Sequence, residues 1–364
     1  MNDWMQRVLQ RAQPPLPQEK IDPSAWPQLR KELLDTLCSE EYGIIPPVEY
    51  TWSAQETGRT DLCGSKADMV TYTLTVSLPQ GEAAFPVRLV MPLSGGQHPF
   101  FVLLNFRGNV PDQYLPAEEL IDRGYAVLAV DYNDISPDRD DGFADGLAVL
   151  LRKAAAEAGV PADRLPGKIA VWAWAACRML DFALTLPGLD GSRAAVIGHS
   201  RLGKTALLAG ASDERFACVI SNDSGCSGAA LSRGKGGESV ADITRVFPYW
   251  FCEHYRDYAG REAEMPFDQH WLLAASAPRL VCVGAAEEDP WADTPAQYEA
   301  CKAAGPVWQK LGGRGLVSPD ADCVPGDHFK EGELGFHLRA YGHYLSRTDW
   351  NAYMDFLDAK GWTE

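Results

Sequence analysis

The chain has 364 residues and a formal net charge of −17, with 46% of residues hydrophobic and 23% charged. That is enough chain for a large core, and an α/β protein of this length often forms one domain. The acidic balance argues against nucleic acid or an anionic membrane as partner, because both are bound through basic patches.

No run approaches the roughly 18 apolar residues of a membrane span. The start, Met1-Asn-Asp-Trp-Met-Gln-Arg7, has no apolar h-region. As given, the sequence reads as cytoplasmic. A chain already trimmed of a leader would look the same, and would be secreted or periplasmic. The nine Cys include no CxxC pair, which argues against a zinc site, and the expectation is no metal and no cofactor. Cys218 and Cys282 lie inside apolar runs and read as small buried hydrophobes. An odd number of thiols suits a reducing compartment better than a disulfide framework.

Residues 1–25 are polar and rich in proline, which predicts a wrapping arm. Residues 27–38 predict a helix, with Pro27 tolerated in its first turn. Residues 70–77 (Val-Thr-Tyr-Thr-Leu-Thr-Val-Ser) alternate as a half-buried antiparallel strand does, and 84–92 read as its hairpin partner. From Pro99 the pattern changes. Residues 100–106, 126–131, 194–197, 217–221 and 279–284 are short apolar runs without alternation, the signature of parallel strands buried on both faces. Helical candidates are 117–123, 168–186, 204–209 and 296–304, with a last helix at 348–360. Trp174 and Cys177, three apart, fit a buried helix face. Residues 224–265 break the alternation and predict an insertion near the functional site. The expectation is one α/β domain over 1–364, with a three-layer, doubly wound, mostly parallel sheet and antiparallel N-terminal strands.

The segment Ala194-Ala-Val-Ile-Gly-His-Ser-Arg-Leu-Gly-Lys204 carries the chemistry. A strand, a sharp turn with Ser200 at its apex, then a helix is the nucleophile elbow of α/β-hydrolases. That motif has glycines two before and two after the serine. Gly198 fits, whereas the second glycine comes one place late, at Gly203.

A serine hydroxyl needs a general base, itself oriented by an acid. In this fold the base follows the last strand. His98 and His199 precede Ser200, and His254 and His270 come before the expected acid loop. Among His328, His337 and His343, the last is favoured. It lies in a Gly-containing loop just before the final helix, whereas His328 and His337 read as surface or core histidines. Two acids are candidates. Asp289 lies in the loop after residues 279–284, and Asp223 lies at the end of the strand that follows the elbow helix. Both are at carboxyl ends of strands, where open α/β sheets place their sites.

The ordered set Gly198-His-Ser-Arg-Leu-Gly-Lys204, Asn222-Asp-Ser-Gly225, Pro266-Phe-Asp-Gln-His270, Ala277-Pro-Arg279, Asp289-Pro-Trp-Ala-Asp293 and Gly342-His343 resembles the glucuronoyl esterases of carbohydrate esterase family 15. The similarity runs from about residue 100 to the C-terminus. Members cleave the ester between 4-O-methyl-D-glucuronic acid of glucuronoxylan and an alcohol of lignin. The resemblance implies Ser200 as nucleophile, His343 as base, and Arg201 as an oxyanion-stabilising cation beside its own backbone N–H. It further implies that Lys204, Glu238 and Trp291 bind the sugar. Many members carry Glu at the position of Asp223. The shorter Asp has less reach toward His343, which favours Asp289, with Asp223 as alternate or second acid. The partner expected is a small-molecule or oligosaccharide glucuronate ester, with no nucleic acid and no membrane. Two rival readings are an esterase for other carbohydrate esters, such as acetylated xylan, and a non-catalytic carbohydrate-binding protein on a hydrolase scaffold.

Overall fold

The structure, a computed structural model, describes residues 21–234, 236–319 and 323–363. The arm expected over residues 1–25 lies outside the described residues as far as residue 20. Helix α1 (Trp26–Leu37) runs into a five-residue π-turn, Cys38–Tyr42. Its Trp26 indole N–H donates to the Ala277 carbonyl at 2.9 Å, which ties α1 to the segment just before residue 280.

Among the described residues, ten strands form one sheet. They are β1 (Thr51–Leu62), β2 (Ala67–Leu78), β3 (Gly81–Pro92), β4 (His98–Asn105), β5 (Ala126–Asp131), β6 (Leu189–His199), β7 (Cys218–Asn222), β8 (Leu280–Ala286), β9 (His328–Phe329) and β10 (Leu334–Arg339), in the order β1-β2-β3-β5-β4-β6-β7-β8-β10-β9. The pairings from β5 to β10 are parallel, and β1, β2, β3 and β9 join antiparallel. The expected sheet is therefore what forms.

The central runs are apolar throughout because both faces are covered. Phe100, Val102 and Leu104 of β4 point into one cluster, and Phe101 and Leu103 into the other. On the first face lie α1, α3 (Leu147–Glu157), α4 (Lys168–Ala183), α5 (Arg201–Ser212) and α7 (Thr294–Lys310). On the second lie α2 (Ala117–Asp122) and the closing helix α8 (Arg347–Asp358). Helix α6 (Val240–Val246) and three 3₁₀ turns occupy much of residues 224–265.

Three strands gave no readable signal, one of them the two-residue β9. β1 is exposed along most of its length, so it lacks an alternating apolar face. β10 is fully buried but short, and it carries Gly335, His337 and Arg339. Its polar side chains are paired inside the protein. Helix α5 begins at Arg201, earlier than expected, directly against the elbow.

Candidate active site

Four strand ends meet at one place. Ser200 follows β6, Asp223 follows β7, Asp289 lies in the loop after β8, and His343 lies in the loop after β10. Those strands are consecutive in the sheet. Since β5 lies on one side of β4 and β6 on the other, β6 borders the point where the winding reverses, the usual site of open α/β sheets.

The elbow is strained and braced. Ser200 has φ 58° and ψ −125°, a region that a β-carbon disfavours. Its N–H donates to the Asn222 carbonyl at 2.8 Å, and its carbonyl accepts from the N–H groups of Gly203 and Lys204 at 2.9 and 3.2 Å. A β-carbon on Gly198 would lie 2.1 Å from the Leu202 carbonyl oxygen. One on Gly203 would lie 3.0 Å from Ser224 Cβ and 3.1 Å from the Gly198 carbonyl oxygen. The late position of the second glycine follows: Gly203 makes the close approach, while Leu202 is buried in the core.

Gly198→Ala should therefore destabilise the protein, because the clash is with backbone that cannot swing aside. Overpacking costs about 1–3 kcal/mol, which lowers the melting midpoint of a chain this long by about 1–4 °C. Calorimetry checks it, and an unchanged midpoint would mean that the turn relaxes freely.

His343 and Asp289 are paired at 2.5 Å, Nδ1 to Oδ2. The other Asp289 oxygen accepts the Ala292 N–H at 3.1 Å. Burial pushes the Asp289 carboxyl up, but the hydrogen bond and charge of His343 and the Ala292 N–H outweigh it, so the net shift is downward. His199 does not serve the serine. Its Nδ1 bonds Asn222 Oδ1 at 2.6 Å, and its ring lies 4.4 Å from that of His343. Burial, with His343 nearby, brings His199 down to about 3, so it stays neutral beside the base.

Asp223 stands close to this pair. One atom each of Asp223, Asp289 and His343 lie within 4.8 Å of one another. Its hydrogen-bond partner is Arg339, whose Nη2 donates to Oδ2 at 3.1 Å. Arg339 also donates to Asp349 at 2.7 Å, to the Ala340 carbonyl at 3.0 Å and to the Tyr344 carbonyl. It thus grips the His343 loop on both sides. His337 bonds Asp349 at 2.9 Å from the core, away from the elbow.

Arg201 opens α5, so its N–H is among the first-turn donors that the helix itself leaves unpaired. The guanidinium is 27% exposed, and its Nη1 is paired with Asp138. Asp138 and Trp250 were not singled out in the sequence. Asp138 sits in a stretch, residues 131–141, with so many carboxylates that none stood out.

Lys204 is 4% exposed and donates to the Ser224 carbonyl. Glu238 is buried, and its N–H donates to the Trp291 carbonyl at 2.9 Å. Asp293 accepts the N–H groups of Gly236 and Gly237, so the two loops are stitched together. Trp291 itself is 56% exposed rather than packed in the core.

A mostly parallel sheet with a strained serine between strand and helix, and a His–carboxylate pair on the neighbouring strand ends, defines an α/β-hydrolase. The family model described as fungal glucuronyl esterase matches residues 64–312. The chain belongs to the glucuronyl esterase family, carbohydrate esterase family 15. It is 40% identical over 242 residues to a carbohydrate esterase from an unknown prokaryotic organism, covering 66% of this chain and 55% of that one. It is 25% identical over 335 residues to the 4-O-methyl-glucuronoyl methylesterase of Podospora anserina, covering 87% and 63%. The chain thus spans less than two thirds of the length of these two curated relatives. Among solved structures, a promiscuous family 15 esterase from a marine bacterial metagenome has a TM-score of 0.84 at 30% identity, with 97% and 98% of the chains covered. A glucuronoyl esterase from Solibacter usitatus has 0.84 at 29%, with 94% of each chain covered. No helix among the described residues is long and apolar enough to cross a membrane.

Proposed function

We propose that this chain is a serine esterase that hydrolyses the ester between 4-O-methyl-D-glucuronic acid and an alcohol of the lignin type, acting as one catalytic domain. The observation that carries the reading is the 2.5 Å His343–Asp289 pair beside a strained Ser200 at neighbouring strand ends. With Nδ1 of His343 engaged by Asp289, Nε2 is left to take the Ser200 proton. Ser200 Oγ attacks the ester carbonyl. The Arg201 guanidinium and backbone N–H stabilise the oxyanion, where preformed donors contribute most. The alcohol leaves with the proton from His343, and a water activated by the same imidazole then releases the uronic acid. A small or oligosaccharide glucuronate ester is the substrate class. An odd number of cysteines, nine, favours a reducing compartment over a disulfide framework.

The test is an assay on benzyl glucuronate beside an aryl acetate. Turnover of the glucuronate is expected, and turnover of the acetate alone would favour a general carbohydrate esterase. Failure of a fluorophosphonate to label Ser200 would point instead to a non-catalytic binding protein.

Lys204→Ala separates the two esterase readings. The ammonium lies one helical turn past Ser200 and would bond the sugar hydroxyls, at about 1.5–3 kcal/mol for a charge-assisted bond. The variant should lose roughly ten- to a hundred-fold in kcat/KM on the glucuronate and change little on the acetate. Lys204 also donates to the Ser224 carbonyl, so its rival role is to brace the chain after β7. Equal losses on both substrates would establish that role.

A further inference from the structure

We propose that Asp138 is a positioning residue that aims the Arg201 guanidinium, resting on the proposed role of Arg201 at the oxyanion. Asp138 gathers three donors. Its Oδ2 pairs with Arg201 Nη1 and accepts the Tyr132 hydroxyl at 2.7 Å. Its Oδ1 accepts the Trp250 indole N–H at 2.6 Å. The Arg201 guanidinium lies over the same indole, 4.7 Å from the ring centroid, with Phe247 at 5.5 Å and Phe106 at 5.7 Å. Phe247 and Trp250 stack face to face at 3.8 Å. One carboxylate therefore fixes both the cation and the ring it rests on.

The carboxylate is itself held. Lys168 is fully buried at the start of α4, and its ammonium donates to the carbonyls of Pro137 and Arg139 and to Asp141. These bonds pin the chain on both sides of Asp138. The Trp172 indole adds a bond to the Ser136 carbonyl at 2.9 Å. Helix α4 thus carries a rigid bracket up to the edge of the site.

A carboxylate beside an oxyanion donor has two opposed effects. Its negative charge weakens the field that Arg201 offers to the developing oxyanion. Its geometry removes the rotamer freedom of a long side chain, so that less ordering remains for the transition state. Asp138 pairs with one terminal nitrogen only, which leaves the guanidinium's other edge for substrate. Preorganisation is the larger effect here, because the aromatic rings beside Arg201 hold the guanidinium but cannot set its direction along the plane.

The test is a double-mutant cycle on the full chain with benzyl glucuronate. Asp138→Asn keeps the volume but cannot accept from all three donors. It should lower kcat about tenfold and change KM less than twofold. Arg201→Ala should lower kcat by about 10²–10³, the usual effect of losing an oxyanion donor. The double variant should be no slower than Arg201→Ala alone, because nothing is left to aim. A loss from Asp138→Asn that recurs in full without Arg201 would make Asp138 merely structural and overturn the proposal, as would an unchanged kcat. If Asp138→Asn does not fold, Trp250→Phe replaces it. This variant keeps the ring and removes one donor to Asp138, and its kcat loss should likewise appear only when Arg201 is present. Absence of wild-type turnover and of Ser200 labelling would instead strike the esterase reading itself.

Discussion

Ser200→Ala is expected to lower ester cleavage by about 10⁴–10⁶-fold without unfolding the protein. The size follows from the role. Without Oγ no acyl-enzyme forms, and the remaining groups can only polarise the carbonyl for a slow attack by water. The specificity of the effect follows from the structure. The Ser200 side chain caps no helix N–H, and the turn is held by backbone bonds from Ser200, Asn222, Gly203 and Lys204. Removing one oxygen therefore takes away no brace. Benzyl glucuronate turnover and thermal melting measured on the same samples check both halves. More than a trace of residual activity in a folded variant would dispose of the acyl-enzyme mechanism.

Much of the site was legible because its chemistry is local. Ser200, Arg201 and Lys204 belong to one strand–turn–helix segment, and the turn needs small residues at positions that can be read from the chain. His343 was legible through order, since it lies in a Gly-containing loop just before a capped final helix. The Ser346–Asp349 capping box marks where that helix starts. The supports were not legible, because they are long-range. Asp138 meets Arg201 across 63 positions of chain, and Asp223 meets Arg339 across 116. Nothing in either neighbourhood signals the pairing. The fold divides in the same way. The buried runs of β4 to β8 announce themselves by composition, whereas β1 is mostly exposed and β10 hides polar groups that only tertiary partners satisfy.

The choice between the two carboxylates yields the sharpest expected contrast. Asp289→Asn should lower kcat by about 10⁴-fold, the scale at which an amide in this position fixes the wrong imidazole tautomer. In the proposed mechanism, Nδ1 of His343 donates to Asp289 across the 2.5 Å contact, and Nε2 is the atom that takes the Ser200 proton. An amide nitrogen there would donate to Nδ1 and place the proton on Nε2, where it blocks the base. Asp223→Asn should cost far less. Burial pushes the Asp223 carboxyl up, Asp349 and Asp289 add to the rise, and Arg339 opposes it without reversing it. An amide keeps the size and shape of that carboxyl. The hydrogen bond from Arg339 Nη2 is retained if the amide oxygen faces it. Asp289 shifts the other way, so the two acids are separated by environment although they are neighbours. Steady-state rates of the two single variants and the double variant decide the matter. A reversed ranking would move the acid to the end of β7. Small single losses with a large combined one would mean that both carboxylates serve His343.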